Sequence, residues 1–532
     1  MIALEIKEQI EKGLTSIGIE FGSTRIKAVL MGEDFSIIAD GVHDWQNKLL
    51  DGIWTYSEED IDNGLADCFS DLMKNVREKY GTELKTTASI GISAMMHGYL
   101  AFDESGKLLV PFRTWRNTIT GEAAEALSES FGFNIPQRWS IAHLYQAILN
   151  KEPHVSDIKF ITTLAGYVHW KLTGKKVIGT GDGSGMFPVS PETKSYNEVM
   201  LAKFDALTEG TAFKEKLIDI LPEIIPVGES AGTLTLEGAK LLDKTGVFGG
   251  EINMCPPEGD AQTGMVATNS IAPRTGNVSA GTSIFGMVVL EKELSKRYEQ
   301  IDIVATPDGD SVAMVHCNNC STDLDCFVKL FGGVLSLFGV TPKKSELYDK
   351  LYEASLSADD DLGGLVSCNY HSGEHVTGFT EGRPLLARTP DSKLTVNNLM
   401  RCLVYSAMST LKLGMDILLK DEGITLDKIY AHGGLFKSPV AGQRYLASAL
   451  GVPVEVLRSA GEGGAWGIAI LAAYNVRKNK EEAFSDYLSE KVFGKMQGEI
   501  LVPDENDIKS FADYAVKFEK LLSAEKAAIE AI

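Results

Sequence analysis

Residues 17–24 read Ile-Gly-Ile-Glu-Phe-Gly-Ser-Thr, and residues 26–31 read Ile-Lys-Ala-Val-Leu-Met. These two apolar runs predict antiparallel strands joined by a tight turn at residues 22–25. The pattern continues with a predicted strand at 36–43, a helix at 58–80 and a strand at 88–95 that returns through the sheet. Strands that pack with helices in this order predict a layered α/β domain.

A similar pattern begins again about half a chain later. Residues 276–280 and 284–290 are predicted strands on either side of Gly281-Thr282-Ser283. A chain of 532 residues is too long for one hydrophobic core. We therefore predict a duplicated domain with a cleft between the copies, divided into residues 1–268 and 269–532.

The composition narrows the range of partners. The formal net charge of −22 opposes binding to nucleic acid or to an anionic membrane. Seven cysteines without a framework are typical of a reducing cytoplasm. Residues 1–15 predict an amphipathic helix rather than a signal peptide, and the longest apolar run, near 464–474, is too short to span a membrane. We expect a cytoplasmic protein with small-molecule ligands, and the sequence is compatible with a homodimer.

The two glycine turns are candidate phosphate-binding loops. In Gly22-Ser23-Thr24 and Gly281-Thr282-Ser283, backbone N–H groups and hydroxyls can converge on phosphate oxygens. Glu20 precedes the first turn and could hold Mg²⁺ directly or through water, and Lys27 follows it. The alternative is a pair of ordinary hairpin turns, and a P-loop is excluded because no G-x-x-x-x-G-K-[ST] occurs.

Asp260 is the candidate general base. It lies in Glu258-Gly259-Asp260-Ala261-Gln262, just before the second half of the chain, and Gln262 accompanies it as a candidate substrate ligand. Phosphoryl transfer to an alcohol needs a carboxylate within hydrogen-bond reach of the hydroxyl. The alternative role for Asp260 is an ordinary helix N-cap, and both roles are compatible.

Two short segments offer groups that suit a sugar pocket. Met96-His97-Gly98 ends a predicted strand, and Trp115-Arg116 follows soon after. Together they supply ring stacking and donors for hydroxyl recognition. The alternative is that His97 and Trp115 are ordinary structural residues.

Four further segments contain glycine turns or paired cysteines. Residues 431–439, which include Ser438, predict a strand followed by a turn at Gly433-Gly434 that leads into a helix. The two adjacent glycines would let a flat ligand such as a nucleoside approach the backbone closely. The glycine-rich residues 179–185 are interpreted as a surface loop, and the helix that opens at residues 461–465 as the last well-marked one. Cys317 and Cys320 form a single C-x-x-C, which favours a strand end over a zinc site.

Taken together, these motifs resemble the FGGY family of carbohydrate kinases over nearly the whole chain. Six pieces occur in the family's order: residues 17–24, 92–98, 166–174, 259–260, 281–283, and 433–434 with 437–439. The resemblance implies two ribonuclease-H-like domains in an actin-like fold, with sugar mainly on the first and ATP mainly on the second. It also implies Mg²⁺, phosphorylation of a ketose or polyol at a terminal hydroxyl, and Asp260 as general base.

Two positions depart from the family pattern. Glu20 stands where the family usually has Asp, which puts the metal geometry in question. Tyr99 and Arg116 stand where xylulokinases tend to have a smaller residue and an Asn, which leaves the substrate open. We expect an ATP-dependent kinase of a small sugar, with a ketopentose of the xylulose or ribulose type as first choice. The alternative is a nucleotide-switched binding module of the same fold, or a kinase homologue without sugar turnover.

Overall fold

The computed structural model describes residues 2–438, 440–457, 463–496 and 498–532. The chain forms two compact units. The first comprises Met1–Ile271, Ile303–Val312 and Glu462–Lys495, and the second comprises Ala272–Asp302, Ala313–Gly461 and Met496–Ile532.

The first unit is built on a six-stranded sheet. Its strands, in spatial order, are Asn253–Met254, Ser89–Ala94, Ser16–Phe21, Arg25–Met31 and Ile37–Asp44, with Glu258–Gly259 also paired to Ser89–Ala94. The three strands from Ser16 to Asp44 are antiparallel, whereas Ser89–Ala94 runs parallel to Ser16–Phe21. The predicted hairpin and the returning strand are therefore confirmed.

The helices of the first unit cover both faces of this sheet. They are Ile2–Glu11, Glu58–Tyr80, Gly121–Phe131, Ser140–Leu149, Leu164–Thr173, Thr180–Ser184, Glu198–Thr208, Leu217–Ile220, Leu236–Leu242, Asp260–Ala267, Gly463–Arg477 and Phe484–Asp486. Short strand pairs join Lys48–Leu50 with Ile53–Thr55, Leu100–Phe102 with Phe160–Thr162, Val177–Gly179 with Glu223–Ile225, and Val189–Ser190 with Ser195–Tyr196.

The helix Glu58–Tyr80 shows how local sequence fixes its bounds. The Ser57 hydroxyl accepts the amide of Asp60, and the Asp60 carboxylate accepts the amide of Ser57, which together form a capping box. Gly81 ends the helix in the left-handed region, with φ of 62°, a conformation that glycine adopts without strain. The predicted helix at 58–80 is confirmed.

The helix Gly463–Arg477 belongs to the first unit, although the sequence division groups it with residues 269–532. Glycines on both sides explain its close packing. A Cβ at Gly18 would lie 2.0 Å from the carbonyl oxygen of Ala465, and one at Gly467 would lie 2.0 Å from that of Thr263. The helix therefore packs backbone to backbone against Ser16–Phe21 and Asp260–Ala267, a contact that local sequence does not reveal.

The second half of the chain forms a seven-stranded sheet. Its strands, in spatial order, are Asp302–Ala305, Ser311–Cys317, Ile284–Val289, Thr275–Ala280, Lys428–Gly433, Val454–Val456 and Glu499–Leu501. Thr275–Ala280 is antiparallel to Ile284–Val289 and parallel to Lys428–Gly433. The hairpin beside a parallel strand thus occurs twice in the chain, as the two glycine turns predict.

In its described residues, the second unit carries five longer helices: Thr322–Leu337, Lys344–Ser355, Val396–Asp416 with a π-helical extension Ile417–Asp421, Ala441–Leu450 and Glu505–Ala531. Its remaining strands, Leu365–Cys368 and Leu385–Arg388, pair with each other. Within the described ranges, Val396–Asp421 alone is long and apolar enough to cross a membrane, and 78% of its most apolar window is buried inside the protein.

The prediction that the helix opening at residues 461–465 is the last well-marked one is wrong. Glu505–Ala531 follows it, with Asp504 as N-cap accepting the amide of Asn506 at 2.9 Å. Its buried face includes Phe511, Tyr514 and Phe518, which recur at helical spacing. The sequence therefore did contain the signal for this helix.

Candidate functional site

Asp260 lies at the point where two neighbouring strands end. Glu258–Gly259 runs parallel to Ser89–Ala94, and the helix that begins at Asp260 follows directly. The amide of Met96, just beyond Ser89–Ala94, donates to Asp260 Oδ1 at 3.2 Å. Asp260 is the first residue of its helix, with Gly259 as N-cap, so the alternative role of Asp260 as N-cap is wrong.

The surroundings of Asp260 shift the pKa of its carboxyl group. Burial raises the pKa of Asp260 to about 6, while hydrogen bonds from the amides of Met96 and Ala261 oppose the rise. At neutral pH the group is mostly ionised and can still accept a proton. That combination suits a general base, which works best when its pKa lies near the operating pH.

Glu20 is the last residue but one of the strand Ser16–Phe21, and its carboxylate contacts the start of the helix Gly463–Arg477. Glu20 Oε2 accepts the amide of Ala465 at 3.2 Å, in the first turn of Gly463–Arg477, where the helix dipole favours negative charge. A Cβ at Gly464 would lie 2.5 Å from Glu20 Oε1, so glycine makes room for the carboxylate. Burial and the negative charge of Asp260 raise the pKa of Glu20 to about 7.

The repulsion between Glu20 and Asp260 bears on the expected Mg²⁺. The charge of Asp260 disfavours ionisation of Glu20, and a divalent cation beside the two carboxylates would relieve this repulsion. Among the described residues, no group of three or more His, Cys, Asp or Glu side chains could hold a metal ion. The two carboxylates of Glu20 and Asp260 nevertheless fit Mg²⁺, because proteins commonly hold this ion through one or two carboxylates, with water and substrate phosphate as the other ligands.

The interpretation of residues 179–185 as a surface loop is wrong. They form the end of Val177–Gly179 and the helix Thr180–Ser184, and all are buried. The glycines make space for neighbours: a Cβ at Gly181 would lie 2.4 Å from Gln262 Cγ and 2.6 Å from Glu258 Oε2. Glycine runs are typical of loops, so their role as close-packing positions depends on partners distant in sequence.

Two buried carboxyls lie behind Asp260, and sequence reasoning assigned neither of them. Glu258 accepts the amides of Gly181 at 3.2 Å and Asp182 at 2.8 Å, and Thr163 Oγ1 donates to Asp182 at 2.6 Å. Burial and repulsion from Asp182 raise the pKa of Glu258. Burial also raises the pKa of Asp182, with a contribution from the charge of Asp260.

These raised values predict how stability depends on pH. A carboxyl whose pKa is higher in the folded than in the unfolded state stabilises the fold while it is protonated, and this contribution is lost as pH rises. We expect the urea concentration at the unfolding midpoint to decrease as pH rises from 5 to 8. In Glu258→Gln this decrease should be smaller. The exposed Glu237→Gln is the control, and equal slopes in both variants would contradict the expectation.

His97 and Met96 border this buried segment. His97 has φ of 67°, a strained conformation for a side chain of this size that often marks a functional site. Its ring Nδ1 is 3.0 Å from the carbonyl oxygen of Gly185 and the ring stacks on Trp139. A Cβ at Gly185 would lie 2.7 Å from Met96 Cε. The sugar-side motif therefore lies next to Asp260, as a common site requires.

Trp115, Arg116 and the first glycine turn are also close together. Trp115 Nε1 is 3.3 Å from Ser23 Oγ, and both Trp115 and Arg116 are exposed. The Arg116 guanidinium lies over the ring of Trp54 at 4.1 Å from its centroid, a cation–π contact. Trp115 thus connects the predicted sugar side with the predicted phosphate loop.

Backbone contacts fix the shape of the first turn. The amide of Gly22 donates to the carbonyl of Arg25 at 2.9 Å, and Trp45 Nε1 donates to the carbonyl of Gly22 at 2.7 Å. Tyr56 donates to the carbonyl of Ser23 at 2.6 Å. Lys27 pairs with Glu20 across the strands and opposes the rise of the Glu20 pKa. Because the carbonyls are occupied, the turn has a defined shape for a ligand.

Gln262 is fully buried one residue beyond Ala261. Its Nε2 donates to the carbonyl of Ala305 at 3.1 Å, whereas Oε1 has no hydrogen-bond partner in the described part of the chain. An unpaired buried amide oxygen is costly, so a ligand hydroxyl would be a favourable partner.

The second glycine turn has comparable support. The amide of Gly281 donates to the carbonyl of Ser283 at 2.9 Å, while the carbonyls of Thr282 and Gly281 accept the amides of Cys320 and Ser321. Gly281 and Thr282 are exposed. Cys317 ends its strand, so the C-x-x-C segment braces this turn through its backbone. The turn leaves its outward groups accessible to phosphate oxygens.

A cavity of about 420 Å³ opens beside the turn at Gly433-Gly434. It is lined by Gly434, Leu435, Lys437, Ser438, Tyr348 and Asp349, among others. Gly433 has φ of 102°, and a Cβ there would lie 2.3 Å from the carbonyl oxygen of Ala280, so only glycine fits. Ser438 donates to Asp349. The size and lining of this cavity suit a nucleoside. Pro439 of the predicted motif lies outside the described residues.

The fold and the site together define a class. Two sheets that each pair an antiparallel hairpin with parallel strands are ribonuclease-H-like, and two such domains make the actin-like class. Family models match residues 15–252 (FGGY family of carbohydrate kinases, N-terminal domain) and 276–476 (C-terminal domain). These matches cover most of the chain, which therefore belongs to the FGGY family of carbohydrate kinases and is a phosphotransferase.

Relatives with known names lie at low identity. A xylulose kinase of Haemophilus influenzae is 22% identical over 399 residues, covering 70% of this chain and 76% of that protein. A ribulokinase of Geobacillus thermodenitrificans is 24% identical over 315 residues, covering 52% of this chain and 53% of that protein, so the match spans about half of it. The predicted family and kinase class are confirmed, and the relatives' names differ in substrate.

Solved structures show the same fold. A xylulose kinase from Lactobacillus acidophilus superposes with a TM-score of 0.77 at 17% identity, covering 96% of this chain and 98% of that chain. A gluconate kinase from the same organism has the same TM-score and identity, with coverages of 96% and 97%. The predicted actin-like α/β fold is confirmed, and one fold serves more than one substrate.

Proposed function

We propose that this FGGY kinase transfers the γ-phosphoryl of ATP to a terminal hydroxyl of a ketopentose of the xylulose or ribulose type, with Asp260 as general base. The observation that carries the proposal is the position of Asp260: a half-buried carboxylate at a helix start, fixed by the Met96 amide. Its pKa of about 6 leaves it ionised at neutral pH.

The sugar side of the proposal rests on the first unit. Met96, beside Asp260, and His97 supply a thioether and an imidazole, and Gln262, two residues beyond Asp260, supplies an amide. Trp115 and Arg116 add an indole beside Ser23 and a guanidinium over the ring of Trp54. Of these, Gln262 Oε1 is unpaired among the described residues. A polyhydroxylated ligand offers donors and apolar ring faces to such groups. We assign the sugar to the N-terminal FGGY domain.

The nucleotide side of the proposal rests mainly on the second unit. The cavity beside Gly433 and Gly434 has room for a nucleoside, and Ser438 lies on its wall. Gly281, Thr282 and Ser283 present amides and hydroxyls for phosphate oxygens, as do Gly22, Ser23 and Thr24 in the first unit. We assign ATP to the C-terminal FGGY domain.

In the proposed reaction Asp260 takes the proton of the attacking hydroxyl while the phosphoryl group moves in line to its oxygen. His97 and Gln262 orient the sugar, and the glycine turns hold the phosphates. Mg²⁺, held near Glu20 and Asp260, would supply charge neutralisation on the phosphate oxygens. We propose a cytoplasmic location and small-molecule partners, in keeping with the net charge of −22.

A coupled assay of ADP release tests the substrate class. D-xylulose, D-ribulose, L-ribulose, gluconate and glycerol are supplied in turn with ATP and Mg²⁺. We expect a ketopentose to give the highest kcat/KM, and the corresponding 1,5-dideoxypentulose, which lacks both terminal hydroxyls, to give no stimulation. A higher kcat/KM for gluconate or glycerol would contradict the ketopentose assignment. Slow ATP turnover indifferent to every sugar would favour the binding-module alternative.

A further inference from the structure

Glu258 is a buried carboxylate that the proposed reaction does not use. It is 2% exposed and accepts two successive backbone amides, from Gly181 at 3.2 Å and from Asp182 at 2.8 Å, one with each oxygen. These partners lie 77 and 76 residues away in sequence. Burying a carboxyl costs free energy unless the group makes hydrogen bonds. The two amide contacts of Glu258 offset this cost and fix the side chain to residues 181 and 182.

The segment that Glu258 holds touches residues of the proposed sugar side. The carbonyl oxygen of Gly185 is 3.0 Å from His97 Nδ1. A Cβ at Gly181 would lie 2.4 Å from Gln262 Cγ. Residues 179–185 therefore lie against His97 on one side and Gln262 on another, with no space for an intervening side chain.

A chain of hydrogen bonds joins residues 181–184 to Gln262. Ser184 Oγ donates to the carbonyl of Gly181 and accepts the amide of Ala305 at 2.8 Å, and the carbonyl of Ala305 accepts Gln262 Nε2 at 3.1 Å. Gln262 is two residues from Asp260, and Glu258 is two residues before it. A shift of the segment would therefore reach both Gln262 and His97.

We propose that Glu258 is a positioning residue for the sugar: by holding residues 179–185 through two amides, it sets the places of His97 and Gln262. This inference rests on the proposed function, because it gives these two residues the task of binding the acceptor. Glu258 itself does not touch the sugar. A glutamine at this position keeps one amide acceptor and the side-chain shape, whereas alanine keeps neither.

Glu258→Ala and Glu258→Gln test the proposal with two readouts. Steady-state kinetics should show the KM for the sugar rising at least about tenfold in Glu258→Ala, since misplacement by about 1 Å can cost 10²-fold. The KM for ATP should stay unchanged, and Glu258→Gln should recover part of the loss. Hydrogen exchange of the Gly181 and Asp182 amides should accelerate in Glu258→Ala.

Asp243→Asn is the matched control. Asp243 is also a buried carboxylate in the first unit and accepts the amides of Thr245, Val247 and Phe248. Its substitution should lower stability without changing the KM for the sugar. If Glu258→Ala fails to fold, Gly181→Ala replaces it, because its Cβ would collide with Glu258 and Gln262.

The outcomes separate the two claims. A normal sugar KM in Glu258→Ala, or unchanged exchange at Gly181 and Asp182, would overturn the positioning role while leaving the proposed kinase reaction intact. An equal rise of the sugar KM in Asp243→Asn would also overturn it, because general destabilisation would then explain the effect. Absence of sugar turnover in the wild-type enzyme would contradict the proposed function instead, and the exchange measurement would still report whether Glu258 holds the segment.

Discussion

Asp260→Asn is expected to lower kcat by about 10²–10⁴-fold, the range that general-base assistance typically contributes. An asparagine Oδ1 can still accept the Met96 amide, which Asp260 now accepts at 3.2 Å, so the local structure should persist. What is lost is the ability to take the hydroxyl proton. The dissociation constant for ATP, measured by titration calorimetry, should be nearly unchanged because the residues proposed to bind the nucleoside do not include Asp260.

The pH profile gives this prediction its second test. Because the base must be ionised and its pKa is raised to about 6, wild-type kcat/KM should increase as pH rises through that value and then level off. Asp260→Asn should lack this limb. Asp205→Asn is the control, since Asp205 is a partly buried aspartate that also accepts a backbone amide, from Leu217 at 3.0 Å. Near-normal kcat in Asp260→Asn would contradict the assignment of the base.

Gly467→Ala is expected to give the largest loss of stability. Its Cβ would lie 2.0 Å from the carbonyl oxygen of Thr263, and neither helix backbone can yield without moving a whole element. Overpacking of a well-packed interior typically costs about 1–3 kcal/mol. Because the new Cβ would collide with backbone, we expect Gly467→Ala to lose about 3 kcal/mol or more of the free energy of unfolding. Urea unfolding followed by circular dichroism measures the change in the free energy of unfolding.

Gly264→Ala is the matched control for that experiment. Gly264 is on the facing helix Asp260–Ala267, and a Cβ there would meet no atom within 4 Å. Alanine in a helix interior should stabilise by about 0.5–1 kcal/mol relative to glycine. Opposite signs for the two substitutions would support the packing of Gly463–Arg477 in the first unit, and equal effects would contradict it.

Short-range signals in the sequence predicted much of the fold. The apolar runs around Gly22 and Gly281 each form the expected hairpin, and Glu58–Tyr80 begins and ends at its predicted residues. These features succeed because strand alternation, capping and left-handed glycines act within a few residues. The order of the six short motifs along the chain then predicted the family, and with it the fold of nearly the whole chain.

The errors concern contacts between distant segments. Residues 179–185 look like a loop in sequence, yet they are buried because Glu258 and Gln262 occupy the space that side chains would take. Nothing within the segment signals a partner more than 70 residues away. The helix Gly463–Arg477 belongs to the first unit for the same kind of reason.

Glu20 makes contacts that its sequence position alone does not indicate. The sequence presented it as an unusual metal residue, and the structure shows its carboxylate engaged by the Ala465 amide and close to Asp260. The longer side chain thus reaches the start of a helix while remaining near the proposed base. A role in holding Mg²⁺ is compatible with this geometry and stays a proposal.

³¹P NMR of the reaction products distinguishes phosphoryl transfer to a sugar from transfer to water. Wild-type protein is incubated with ATP, Mg²⁺ and the ketopentose that most stimulates ADP release. We expect ADP together with a phosphomonoester resonance coupled to the terminal CH₂ protons of the sugar, and with Asp260→Asn we expect this resonance to appear about 10²–10⁴-fold more slowly. Formation of ADP and inorganic phosphate alone would contradict phosphoryl transfer to a sugar.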